Sequence, residues 1–259
     1  MTQSLRHPPV DPRINLLIGI DDTDNLETRG TGYRARCLGQ ALSDAGLADL
    51  HGITRHQLLV DPRIPYTSHN SSACLQVTAR TSSEAIQTFC RDFMLEVAAD
   101  GSDVGLCVAD VDAAAQVVDY GLRAKQEVLD QDIALRTAAS LGIRLEGLTG
   151  TRGGIIGALA GIGLYVQGDD GRYIWLRQMR ELRESSLTVG ALKAATGVED
   201  VIEFDSGCVA DRDNAVIDLG CWARPVRVAG RSVLLVEKSS DGSVDYTVAD
   251  KQRIKQFRP

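Results

Sequence analysis

The stretch Ile14-Asn15-Leu16-Leu17-Ile18-Gly19-Ile20-Asp21-Asp22-Thr23-Asp24 decides how the N-terminal part of this chain is read. Residues 14–20 are apolar without regular alternation, which predicts a strand buried on both faces and therefore central in its sheet. The run ends in three carboxylates within four residues, Asp21, Asp22 and Asp24. Like charges this close repel one another, and withdrawing them from water makes sense when a cation binds among them. Thr28-Arg29-Gly30-Thr31-Gly32 follows, at the start of a predicted helix whose unpaired N–H groups and dipole favour an anion.

Outward from that strand, apolar spacing predicts helices over 31–45 (Cys37, Leu38, Ala41, Leu42) and 83–98 (Ala85, Ile86, Phe89, Phe93, Val97), with strands over 51–60, 73–79 and 104–109. The order β-α-β-β-α-β predicts an α+β domain over 13–112, with helices on one face of a mainly antiparallel sheet. Residues 1–12 are expected to form a loose tail, and 113–259 a second α+β domain with a short β-rich tail. In that second part a helix is expected over 125–141 and a short buried helix over 155–162. Strands over 164–166 and 173–176 should flank a hairpin turn at Gly168-Asp169-Asp170-Gly171, followed by a helix over 189–196 and a strand over 201–204.

A net charge of −7 excludes a protein that holds nucleic acid over its whole surface, while leaving room for a local basic patch. The six cysteines show no metal-ligand spacing and read as reduced thiols, mostly in apolar runs, of a cytoplasmic protein. No apolar segment reaches transmembrane length, so no membrane partner is expected.

Four segments carry candidate chemistry. Asp21, Asp22 and Asp24 suit Mg²⁺, the bland alternative being an Asx-turn that caps the next helix. Thr31, between Gly30 and Gly32, could bind phosphate, ligate a metal or accept a phosphoryl group, and is equally an ordinary N-cap. The long connection 61–72 offers Arg63 and His69 for phosphate or substrate contact, against an exposed loop without function. Thr149-Gly150-Thr151-Arg152-Gly153-Gly154 lacks the ending of a P-loop, so a Walker site is rejected. Arg152 and Gly153 remain candidate anion contacts, the alternative being glycines that let the helix after them pack tightly.

Taken in order, Gly19-Ile20-Asp21-Asp22-Thr23-Asp24, Gly30-Thr31-Gly32-Tyr33, Pro62-Arg63-Ile64-Pro65-Tyr66 and the segment from Gly150 to Ala160 resemble the archaeal agmatinylcytidine synthetase (TiaS) family over about residues 14–240. That family modifies the wobble cytidine of an isoleucine tRNA with agmatine at the expense of ATP. The resemblance implies an N-terminal kinase-like domain followed by a ferredoxin-like domain, and is expected to stop short of the family's OB-fold and zinc ribbon. It places Asp21, Asp22 and Asp24 at the Mg²⁺/ATP carboxylates and Thr31 at a threonine that handles the phosphoryl group. Two segments depart from the family: Gly30-Thr31-Gly32-Tyr33 stands for Cys-Thr-Thr-Tyr, and 67–72 lacks the two cations of Lys-Thr-Arg-Gly-Asn-Gly. The expectation is an Mg²⁺- and ATP-dependent ligase or kinase-like enzyme. It would activate a second substrate, a small molecule or tRNA, by phosphorylation for nucleophilic attack. The alternative is a non-catalytic nucleotide-binding module, or a subunit of a modification complex whose partner protein binds the RNA.

Overall fold

In the computed structural model, which describes residues 13–64, 70–210, 212–240 and 242–256, strand β1 (Ile14–Asp21) is buried from Leu16 through Ile20. The chain continues as α1 (Thr31–Asp44), β2 (Ala48–Gln57), β3 (Ser71–Ala79), α2 (Ser83–Val97), β4 (Gly105–Asp110), α3 (Val111–Ala115), α4 (Val118–Arg123), α5 (Gln131–Ser140), β5 (Arg144–Gly147) and α6 (Ile155–Gln167). It ends with β6 (Arg172–Trp175), β7 (Ser186–Thr188), α7 (Val189–Thr196), β8 (Asp200–Glu203), β9 (Val216–Asp218), β10 (Val226–Val228), β11 (Arg231–Lys238), β12 (Tyr246–Val248) and α8 (Lys251–Gln256). The architecture is mixed α+β, as expected. The tail expected at 1–12 lies outside the described residues.

β1 is central. It runs antiparallel to both β3 and β4, with Ile18 opposite Leu75 on one side and Val108 on the other. The strands follow the order β5-β4-β1-β3-β2-β6-β10-β11-β12-β9-β7, with β8 joined to β11. Alternation sends Leu16, Ile18 and Ile20 to one face, where they meet Leu38 and Leu42 of α1 and Ile86, Cys90 and Met94 of α2. Leu17, with Cys74 and Cys107, faces the other way, onto Ala158, Leu159 and Ile162 of α6. The side chain of Ser82 caps α2 by accepting from the Ala85 N–H.

Helices therefore cover both faces of this sheet, not the one face expected. The reason is α6. Nearly every residue from Ile155 to Tyr165 is buried, so a helix apolar around its whole circumference must be enclosed on every side. It lies on β1, β3 and β4, with residues of α3, α4 and α5 closing over it. The close seating depends on Gly19, because a Cβ there would stand 2.1 Å from the Ala158 carbonyl oxygen. The strand expected over 164–166 is the last turn of this helix. Gly168, at φ 95, ends it in the left-handed conformation, so residues 168–171 join helix to strand and form no hairpin.

The helix expected over 125–141 begins only at Gln131, where Asp130 caps it by accepting from the Ile133 N–H. The division expected at residue 112 falls inside the first core, which unites Leu17 with Val117, Tyr120, Ala134 and Leu159. Packing changes over at β6 instead. Beyond it a separate core gathers Val189, Leu192, Val201, Ile217, Leu234 and Val236. Of the six cysteines expected as reduced core thiols, all are free; Cys74, Cys90 and Cys107 are buried and Cys37 half-buried, while Cys208 and Cys221 are exposed and lie outside the core. Among the described residues no helix is long and apolar enough to cross a membrane.

Candidate functional site

β1 delivers Asp21 at its end, on the same face as Leu17 and Gly19, so the carboxylate meets the start of α6. A Cβ on Gly157 would stand 1.8 Å from Asp21 Oδ2, and the missing side chain makes the room that the carboxylate occupies. Burial pushes the Asp21 carboxyl up to about 7, opposed by a hydrogen bond from the Asp22 N–H and reinforced by the charges of Asp22 and Asp24. Asp22 holds φ 52, a left-handed conformation that Asp adopts more readily than most residues. Its carboxyl is pushed up to about 6, first by burial and then by repulsion from Asp103 and Asp24.

Asp24 has a different task. Its Oδ1 accepts from the Thr31 N–H and from the Thr31 hydroxyl, both at 2.9 Å. Gly30 precedes α1 and has no side chain to cap it, so Asp24 reaches across the turn to do so. The Thr31 oxygen in turn accepts from the Thr23 hydroxyl at 3.2 Å and, more weakly, from the Thr23 N–H at 3.4 Å.

The second half of the site comes from the glycine-rich segment before α6. Asp103 accepts from the N–H and hydroxyl of Thr151, and its own carbonyl accepts from the Gly154 N–H at 2.8 Å. Thr149 adds a hydroxyl bond to the Ser102 carbonyl at 2.6 Å and accepts from the Val104 N–H at 2.9 Å. The segment is thereby pinned beside Asp21 and Asp22. Together these elements enclose a cavity of about 270 Å³. Asp21, Asp22, Asp24, Thr31, Asp103, Thr151, Gly153, Gly154 and Gly157 form its polar wall, and Leu58, Ile64, Ala124, Val128, Leu129 and Ile156 its apolar one. The N-termini of α1 and α6 both border it, so positive helix ends and carboxylates share one space.

Several expected contacts fall elsewhere. Among the described residues no group of three or more His, Cys, Asp and Glu side chains is arranged to hold a metal ion. The three-carboxylate metal set is therefore not assembled, because Asp24 is turned to α1. Gly30 and Gly32 line a second cavity, which meets the first at Asp24, Thr31 and Ser71. Arg63 reaches the first cavity's rim, but its guanidinium grips both oxygens of Asp61 at 2.8 Å and is 71 % exposed. Arg152, at φ 68, is exposed; its side chain covers Gly147 and takes no part in lining the cavity. His69 lies outside the described residues. Sequence reasoning missed Asp103 and Gly157. A lone aspartate before a strand carries no pattern, and Gly157 is one of three glycines in α6, with Gly161 and Gly163, so nothing local singles it out.

No family model matches the chain, and no curated protein does. Solved structures do. TiaS in complex with its isoleucine tRNA and ATP matches with 25 % identity and a TM-score of 0.53, over 58 % of this chain and 36 % of that one. This chain resembles TiaS over that span. A tRNA fluorescent labelling enzyme gives the same identity, TM-score and coverage. Apo TiaS, a tRNA agmatidine synthetase, matches in fold at 24 % identity and a TM-score of 0.51, over 58 % of this chain and 35 % of its own. The match thus spans about a third of the length of the TiaS structures.

Proposed function

We propose that this chain is an ATP-dependent enzyme of TiaS type, whose first cavity holds Mg²⁺-ATP between the carboxylates of β1 and the N-termini of α1 and α6. One observation carries the reading: Asp21, Asp22 and two helix N-termini converge on a single cavity that Leu58, Val128 and Leu129 also line. Carboxylates alone would repel a triphosphate, and helix N-termini alone would need no carboxylate. Their combination suits a phosphate chain with a divalent cation, while the wall of Leu58, Val128 and Leu129 suits a base. The likeness to a TiaS structure solved with tRNA and ATP supports the same reading.

Asp21 and Asp22 would hold Mg²⁺, which takes one or two carboxylates with phosphate oxygens and waters; when bound it neutralises charge on the transferring phosphoryl group. Thr31 donates its hydroxyl and N–H to Asp24 and accepts from Thr23, so its role is to order the start of α1 beside the phosphate chain, not to donate to it. Asp103, accepting from the Thr151 N–H and hydroxyl and from the Gly154 N–H, keeps the Thr151–Gly154 segment against the cavity. Phosphoryl transfer asks the protein for positioning and electrostatics, and these residues supply both. The group activated belongs to a second substrate, a small molecule or tRNA, for attack by a nucleophile.

A non-catalytic nucleotide module is the second reading, favoured by one feature. Arg63 is the only Lys or Arg among the described residues lining the first cavity, and it is committed to Asp61. Asp22→Ala separates the readings. The enzyme loses ATP turnover and keeps its unfolding midpoint. Tight Mg²⁺-ATP binding by calorimetry, with no ADP or AMP formed with any candidate substrate, assigns the module. Wild-type turnover in Asp22→Ala removes the carboxylates from the mechanism.

A further inference from the structure

We infer that the second cavity is an anion site, which takes a phosphate group of the second substrate beside the nucleotide. The inference rests on assigning the first cavity to the nucleotide. The second cavity also measures about 270 Å³ and is bounded by Gly30–Tyr33, Arg36, Arg55 and Ser71, with Asp24, whose Oδ1 accepts from Thr31, as its one carboxylate among the described residues. Arg36 donates to the Gly32 carbonyl and Arg55 to the Ser71 hydroxyl, each at 2.8 Å. These neutral partners orient the two guanidinium groups without cancelling their charge.

The surroundings add more positive charge. Arg172 stands opposite Arg55 across the β2–β6 pairing, and Arg29 lies over the Tyr33 ring at 4.5 Å. Arg180 and Arg183 repel Arg36, and all three repel Arg224. Burial and this repulsion push Arg224 down to about 10, and burial pushes Arg36 and Arg55 down as well. Among the described residues no ion pair joins Arg36, Arg55, Arg180, Arg183 or Arg224 to a carboxylate, although Asp21 and Asp24 attract Arg55 at longer range. A guanidinium does not shed its proton to relieve such crowding, so an anion must. In a chain of net charge −7 this arginine track is a local exception. It links Arg36, in the cavity wall, to Arg180, Arg183 and Arg224, the last over the Trp222 ring, and a phosphate matches the guanidinium fork geometry.

Titrating the full chain with inorganic pyrophosphate, and separately with a short single-stranded RNA at two salt concentrations, tests this and finds the source of the phosphate. Mg²⁺-ATP affinity is measured in parallel. Arg36→Gln and Arg55→Gln weaken pyrophosphate by about tenfold or more and leave Mg²⁺-ATP affinity within about twofold. RNA binding that weakens steeply with salt and in Arg224→Gln identifies a phosphodiester; pyrophosphate binding alone identifies a free anion. Neither ligand binding the wild type, equal binding by both variants, or Mg²⁺-ATP affinity falling in step with them overturns the inference. Failure of the wild type to bind Mg²⁺-ATP, with pyrophosphate still bound, refutes the nucleotide assignment and leaves the anion site standing.

Discussion

Gly157→Ala should separate stability from nucleotide binding. The new methyl would stand 1.8 Å from Asp21 Oδ2 and 3.1 Å from a Leu58 methyl, both far ends of side chains that can rotate. Backbone need not move. Driving Asp21 off its rotamer costs about 0.5–1.5 kcal/mol, and replacing glycine inside a helix returns about 1 kcal/mol. The two nearly cancel, so the urea midpoint should barely change. The carboxylate, however, must leave the space it shares with the start of α6, and with it goes one of the two groups proposed to hold the cation. Mg²⁺-ATP affinity should therefore fall by about tenfold or more, the worth of one charge-assisted contact. Calorimetry paired with urea denaturation reads both effects on one sample. A stable variant that binds Mg²⁺-ATP as tightly as the wild type would refute Asp21 as a contact, and a loss of several kcal/mol would refute the premise that side chains alone give way.

Gly19→Ala should behave oppositely, because its methyl would meet the Ala158 carbonyl oxygen at 2.1 Å. Backbone faces backbone there, so α6 must lift and stability should drop by about 1–3 kcal/mol or more; an unchanged urea midpoint would contradict the close seating. Asp103→Ala strips the Thr151 N–H and hydroxyl of their acceptor. It should loosen the glycine-rich segment, seen as faster amide exchange over 149–154, and weaken Mg²⁺-ATP; protection equal to wild type would show that Asp103 does not hold it. His56 is wholly buried between Thr54 and Asp170, and burial holds its pKa below the usual value despite the pull of Asp170. The unfolded chain therefore takes up the proton first. The stability His56 confers is complete above about pH 6.5 and is lost as pH falls below that value. His56→Gln should flatten this loss between pH 7 and 5 in denaturation series, and parallel curves for variant and wild type would exclude His56 as its source.

What was legible in the sequence follows the range of each physical signal. Period and capping act over a few residues, and they located α1, α2, α7 and β1 because Leu38 and Leu42, or Ser82, announce themselves locally. They could not say what covers the second face of β1. A strand apolar on both sides demanded a cover, yet the β-α-β-β-α-β pattern suggested helices on one face only. The cover was α6, which the boundary expected at residue 112 had assigned to another domain. Its seating is a non-local match: Gly19 receives the Ala158 carbonyl, and Gly157 receives Asp21. Each glycine alone reads as flexibility or a turn. The same limit governs the site. Asp21 and Asp22 were visible as crowded charges, whereas Asp103 acquires its role only when the Thr151 segment arrives beside it. Arg152 and Arg63 were attractive as cations, but a left-handed backbone turns one onto Gly147 and Asp61 occupies the other. The arginines that line the second cavity, Arg36 and Arg55, come from a helix and the strand that follows it, and no motif links them. Net charge averages over such clusters, so an overall excess of acid does not argue against a strongly basic pocket beside the carboxylates.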